Sequence, residues 1–430
     1  MKSNSVLNKE ISNASWMIGA RIVQMILSFI VSILTARYLG PGNYGLVNYG
    51  AAYVAFFTSL CTLGINSIIV KEFVAKPDKQ GETLGTTIVL RFISSCLSVL
   101  VIFLIVCVVD RGDTLSIQVV FLCSLALIFQ IFDSINYWFQ SKYMSRVTSL
   151  STLAAYTIVS AYKIILLITG RSVIWFAIST SVDYVLIALF QWLAYKKYNG
   201  PKLSFSKSKA HFLLTNSYHF ILSGMMVAIY GYTDKFMLKQ MLNEEAVGYY
   251  SIATSISTVW AFVLNAIIDS VYPTIMQLYT KDKKTYERKN RQLYAIVFYV
   301  AVFVSILFTI FGGIAINILY GESYMESVMP LRIVTWYTAF SYLGVARNAW
   351  IVCENKQKYL KYMYLGAAGI NVVLNYFMIP QWGASGAAMA SLITQIFTSL
   401  IMPAFFKEMR PNAKLMLEAI LLKNTLPQKS

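Results

Sequence analysis

Residues 84–109 read LGTTIVLRFISSCLSVLVIFLIVCVV, a run of 26 residues broken by a single charge, Arg91. About 20 predominantly apolar residues suffice for a helix to cross a bilayer. The run is too long and too apolar for one face of a soluble helix, and it lacks the polar/apolar alternation of an outer-membrane strand. It reads as a transmembrane helix.

Working outward, similar runs recur at 15–37, 46–70, 115–139, 148–169, 173–195, 212–238, 246–273, 293–319, 329–352, 359–380 and 384–406, which with 84–109 makes twelve. The 430 residues are 57% hydrophobic and only 13% charged, with mean hydropathy +0.60. Soluble domains carry about 25% charged residues. The expected fold class is therefore all-α and integral to the membrane. The first run follows Lys2 and Lys9, is too long for a signal-peptide core and shows no cleavage site, so it is expected to stay as helix 1.

An even number of spans puts both ends on one side, and charge says which. Of 36 Lys and Arg residues, 26 fall in the ends and even-numbered loops. Four (Arg37, Arg111, Arg171, Lys239) fall on the opposite side, and six lie inside spans. The positive-inside rule then predicts cytoplasmic N- and C-termini. The net charge of +17 (36 minus 19) is thus topological, and a nucleic-acid partner is not expected. The longest connections, Lys196 to His211 and Gln277 to Arg291, are too short for a soluble domain. The tail after Phe406 alternates Leu and Met with Lys, as in a surface helix.

Weak internal likeness suggests two halves. Leu39, Gly45 and Asn66 match Leu242, Gly248 and Asp269 at an offset of 203, and residues 138–142 match 352–356 in pattern. The expected division is a lobe of helices 1–6 (1–210), a lobe of helices 7–12 (211–406) and a tail (407–430), the lobes lying parallel around a central cavity, a known transporter plan.

Charges kept inside a membrane usually face a cavity or a partner. The six in-span cations are Arg21, Arg91, Lys163, Lys235, Arg332 and Arg347; the four in-span acids are Asp133, Asp183, Asp234 and Asp269. Arg332 sits near an outer helix end, where it can serve as an interfacial anchor. Arg21, Arg91, Lys163, Lys235 and Arg347 are the candidate substrate-binding cations, suited to a phosphate or pyrophosphate. The four aspartates are candidates either for charge pairing between helices or for proton or cation coupling. Polar in-span residues such as Gln24, Asn265, Asn371, Asn375 and Gln395 are candidates for lining the path. Gly383, Gly386 and Ala390 offer a small-residue packing face, and Pro273 a kink.

Neither a P-loop nor HExxH, GxSxG or DFG occurs, and His211 and His219 have no metal-site company. No cofactor, metal or enzymatic activity is expected. The five cysteines lie in or beside apolar runs without a CxxC pair and read as small hydrophobes.

Several stretches resemble the polysaccharide-export flippases of the Wzx type. They are LTARYLGPGNYGLVNYG (34–50), GINSIIVKE (64–72), TDKFML (233–238), EAVGYYS (245–251), Tyr272-Pro273 and IPQWGASGAA (379–388). Their order and spacing span essentially the whole chain. The resemblance implies the multidrug/oligosaccharidyl-lipid/polysaccharide exporter superfamily, with two six-helix lobes and alternating access in a bacterial cytoplasmic (inner) membrane. It implies an undecaprenyl-pyrophosphate-linked oligosaccharide as substrate, for O-antigen or capsule assembly, and a polysaccharide polymerase and chain-length regulator as partners. It places Arg21, Asp234 and Lys235 at the cavity. Related multidrug exporters often carry an acidic coupling residue in helix 1, and helix 1 here has none. An ion-coupled drug antiporter and a non-transport scaffold or polymerase stand as the competing readings.

Overall fold

The computed structural model describes residues 2–423, with side chains from Trp16 onward except that of Ser67. Residues 424–430 of the expected tail lie outside the described residues. The fold is all-helical, and among the described residues there is no strand. Among the described residues, nine helices are long and apolar enough to cross a membrane. That number is lower than the twelve runs because helices merge or break at identifiable residues. The chain forms two compact units, Met1–Tyr232 and Thr233–Ser430.

The first unit contains α1 (Lys2–Cys61), α2 (Asn66–Ala75), α3 (Gln80–Val109), α4 (Thr114–Ser124), α5 (Ala126–Phe129), α6 (Ser134–Ser141), α7 (Ser145–Ile168), α8 (Val173–Lys197) and the first part of α9 (Lys207–Met241). The predicted span 15–37 and most of 46–70 fall within α1, separated at Gly40, whose φ of 69° and ψ of 173° are non-helical and which Pro41 follows; the end of 46–70 lies beyond a turn, in α2. Only glycine takes such a conformation without steric cost, and proline cannot continue a helix from within. Asp113 caps α4 by accepting from Ser116 N at 3.0 Å. The fourth predicted span is broken by a 3₁₀ turn, Gln130–Asp133.

The linker before α9 is laid along α3. Ser204 N donates to Gly81 O at 3.3 Å and Ser206 N to Thr86 Oγ1 at 3.0 Å. A Cβ on Gly81 would stand 2.1 Å from Lys202 O, and one on Gly85 2.5 Å from Ser204 O. These two glycines, one turn apart, let the linker backbone approach. Lys209, the third residue of α9, closes the attachment with a 2.7 Å ion pair to Glu72, both side chains buried. Burial opposes the Glu72 charge, but Lys209 and Lys76 override it and hold the carboxyl below its usual range. Beneath this lies a core of Ile65, Ile69, Phe73, Leu84, Trp138, Phe139 and Tyr195.

The second unit holds the rest of α9, then α10 (Glu244–Lys281), α11 (Lys283–Tyr320), α12 (Val328–Ala346), α13 (Asn348–Cys353), α14 (Leu360–Ile396), α15 (Met402–Phe405) and α16 (Arg410–Ile420). Asn243 and Asp282 cap α10 and α11, accepting from Ala246 N at 2.9 Å and Lys284 N at 3.0 Å. No non-helical residue interrupts α10 at Pro273. The predicted span 359–380 and the first part of 384–406 meet in α14, separated at Gly383 (φ 56°, ψ −134°), and the rest of 384–406 continues into α15. Close by, Gly386 packs so tightly that a Cβ would reach 2.2 Å from Met378 O. A π-helical turn, Phe397–Ile401, follows α14.

The two units share one local geometry. Met144 N bonds Phe139 O at 3.0 Å and Lys356 N bonds Ile351 O at 2.9 Å, with left-handed Tyr143 (φ 57°) and Asn355 (φ 55°) in the same place. The offset is 355 minus 143, or 212. At that offset Trp138 falls on Trp350, although turns of the same kind also close helices at Gly170 and Asn199. Both indoles are buried.

Large apolar side chains cover the exterior: Val108 is 76% exposed and Ile168 80%. An apolar surface on that scale belongs in lipid. Of the cysteines, Cys61, Cys123 and Cys353 are buried, Cys107 is half-buried and Cys96 is exposed.

Candidate functional site

In the first unit the in-span charges form two groups. Arg91 is buried in α3, donating from Nη1 to Ser134 Oγ at 2.9 Å and from Nη2 to Asn66 Oδ1, while its Nε has no partner. Asp133 lies within electrostatic reach of Arg91 without a direct ion pair. On α7 and α8, half-buried Lys163 and Asp183 are related in the same way, and Tyr156 lies beside Asp183 and Gln24. The structure thus brings Arg91 together with Asp133, and Lys163 with Asp183. Arg21 stands apart, exposed on α1 and without an ion pair to a described residue.

The second unit holds the most completely built polar group. Asp234 of α9 is buried, and three neutral donors converge on its carboxylate. Asn375 Nδ2 reaches Oδ1 at 2.7 Å, while Tyr250 Oη and Ser391 Oγ reach Oδ2 at 2.5 and 2.6 Å. Behind them Asn371 links the set, donating to Ser391 Oγ at 3.2 Å and accepting from Asn375 at 3.0 Å. Asn375 Oδ1 is buried without a partner. The α9 carboxylate thus has donors from α10 and from α14 on both sides of Gly383. Lys235, next in sequence, is half-buried and about 100° further round the helix.

Arg347 is buried where α12 gives way to α13. Its Nη1 points at the carbonyls of Thr398 and Ser399, 3.5 and 3.4 Å away, inside the π-helical turn. A π turn breaks the regular backbone ladder, and Arg347 supplies donors to carbonyls there. Asp269 is exposed on α10, with no ion pair to a described residue.

Sequence reasoning singled out Asp234, Asn371 and Asn375 but not Tyr250 or Ser391. Tyr250 lies in the EAVGYYS stretch and Ser391 one residue beyond Ala390, so both sat within reach of quoted motifs; hydroxyls in apolar helices carry no distinguishing signal. No group of three or more His, Cys, Asp or Glu is placed to hold a metal among the described residues. The oxygens around Asp234 are of the hard type that suits a proton or a small cation.

Solved structures of transporters share this fold. The lipid II flippase MurJ in an inward closed conformation superposes with a TM-score of 0.72 at 13% identity, covering 94% of this chain and 91% of that one. An inward-facing multidrug resistance MATE transporter of the MOP superfamily gives 0.67 at 14%, covering 92% and 96%. At such identities the likeness establishes the fold alone. The chain belongs to the polysaccharide biosynthesis protein family, whose profile matches residues 11–279. Similar proteins include the capsular polysaccharide biosynthesis protein CapF of Staphylococcus aureus, 23% identical over 92% of this chain and 98% of that protein. A putative O-antigen transporter of Shigella flexneri is 19% identical over 93% and 98%.

Proposed function

We propose that the protein is a flippase, not an enzyme, moving undecaprenyl-pyrophosphate-linked oligosaccharide units across a bacterial cytoplasmic membrane by alternating access, for O-antigen or capsule assembly. The family match supports the cargo class. The lobes are 1–210 and 211–406, the termini are cytoplasmic, and a polysaccharide polymerase and chain-length regulator work downstream. Arg21 and Lys235 contact the pyrophosphate. Lys163, Arg91 and Arg347 belong to the same set of cations, but Arg91 and Arg347 already have acceptors inside their own units, so their role is to hold α3 and the α12–α13 junction in place.

The observation that carries the mechanism is the Asp234 cage. Three donors aimed at one carboxylate describe its ionised state. A proton on Oδ2 would turn that atom from acceptor to donor and make the Tyr250 or Ser391 hydroxyl rotate to receive it. A cation would pull both oxygens off their donors. Either event rearranges α9 against α10 and α14, the kind of two-state element that a transport cycle requires. Asp234 is therefore assigned to coupling, while Asp133 and Asp183 pair with Arg91 and Lys163. Asp269 has no assigned role.

The experiment follows radiolabelled lipid-linked oligosaccharide in each leaflet of a deletion strain. Repeat units trapped on the cytoplasmic side, with surface glycan lost, support flipping. Units that reach the outer leaflet unpolymerised would move the protein to a later, polymerase or scaffold step.

A further inference from the structure

A cavity of about 700 Å³ opens in the second unit between the start of α11, the α13–α14 connection and α16. Six cations line it (Lys283, Arg291, Lys356, Lys407, Arg410, Lys414) against four carboxylates (Glu287, Glu354, Glu408, Glu418), an excess of 6 minus 4, or +2. Two of the carboxylates are already neutralised. Arg291 holds Glu418 at 2.7 Å, and Lys356 holds Glu408 at 2.6 Å, keeping the Glu408 carboxyl at about 2. Lys283 and Lys407 are exposed and have no ion pair to a described residue, and Arg291 Nε is buried without a hydrogen-bond partner. The cavity therefore holds donors and positive charge that nothing within the unit satisfies.

Its surroundings point to the source of the missing anion. The buried face of α16 (Ala413, Leu415, Met416, Ala419) seats the helix on the unit. Its other residues and the chain just before it leave Leu417, Leu421 and Phe405 exposed by 48%, 61% and 68%. A helix that pairs such apolar groups with a basic pocket has the pattern of an element lying at the headgroup level of a bilayer. There, basic clusters meet lipid phosphates.

We propose that this cavity binds the phosphate-bearing headgroup of an anionic phospholipid, with Lys283, Lys407 and Arg410 as donors. The site is separate from the coupling group at Asp234 and does not depend on what the protein transports.

The test measures thermal stabilisation of the detergent-purified protein during titration with phosphatidylglycerol, with phosphatidylcholine and inorganic phosphate as parallel titrants. Phosphatidylglycerol alone should stabilise. The paired substitution Lys283→Gln and Lys407→Gln should weaken its apparent affinity roughly tenfold or more. Lys196→Gln with Lys197→Gln, which removes equal charge from the first unit, should leave it unchanged. Equal affinity in the first pair, or equal loss in the second, overturns the site. Stabilisation by inorganic phosphate at matching concentration, or by phosphatidylcholine, overturns the lipid assignment.

Discussion

Replacing Asp234 separates its structural from its coupling role. Side-chain hydrogen bonds inside membrane proteins contribute about 0.6 kcal/mol on average and up to about 1.7. The three bonds on Asp234 therefore hold roughly 2–5 kcal/mol between them. Asp234→Ala removes all three. Ser391 and Asn375 keep their links to Asn371, but the Tyr250 hydroxyl loses the carboxylate it donates to. The expected loss is therefore toward the lower part of that range, about 2–3 kcal/mol. Asp234→Asn is different. The amide oxygen still accepts from Asn375, and the amide nitrogen donates to the Tyr250 or Ser391 hydroxyl, which rotates to receive it. That variant should lose about 1 kcal/mol or less. It also mimics a permanently protonated carboxyl, so export should fail although the fold survives. The assays are melting in detergent and restoration of surface glycan in a deletion strain. Wild-type export by Asp234→Asn would refute the coupling assignment. Wild-type melting by Asp234→Ala would refute the cage as a source of stability.

Other substitutions test the remaining elements. Arg21→Ala should abolish export with an unchanged melting temperature, because the exposed guanidinium supports nothing in its unit, whereas Arg91→Ala should lower melting by stranding Asn66 and Ser134; the reverse pattern would exchange their roles. Gly85→Ala should lift the linker from α3, costing about 1–3 kcal/mol and exposing residues 199–206 to limited proteolysis, which an unchanged digestion pattern would exclude. Glu72 has a depressed folded pKa, so the stability it lends is present above the unfolded value of about 4.3 and lost as pH falls through the folded one. Melting of Glu72→Gln should accordingly lie below the parent at neutral pH and converge with it in acid; a pH-independent gap would mean that the Lys209 pair contributes nothing through charge.

Much of this was legible in the sequence because membrane insertion leaves a one-dimensional record. The apolar runs and the side on which lysines collect do not depend on tertiary packing. Gly40 and Gly383 stood inside quoted stretches, and each turned out to be the residue at which a long helix breaks. The cage was only half legible: Asp234, Asn371 and Asn375 announce themselves as polar groups in apolar helices, but Tyr250, 16 residues from Asp234, and Ser391, 157 residues from it, acquire meaning only when α10 and α14 are packed against α9. The repeat shows a different limit. The left-handed turns at Tyr143 and Asn355 are set by backbone geometry that unlike side chains reach, so side-chain pattern alone does not find them. The Gly81–Gly85 cradle was silent, since a glycine pair in a helix does not say whose backbone will lie on it.

The disposition of the five thiols gives the chain a practical use. Three are enclosed, and Cys96, the exposed one, shares its face of α3 with Phe92, Ile93, Leu97 and Leu100, a surface turned toward acyl chains. A charged, water-borne maleimide should find almost nothing to modify. The parent sequence can then serve as its own blank, and one cysteine added at Tyr198 or at Lys284 would report, from labelling of intact against opened cells, on which side of the membrane each basic connection lies.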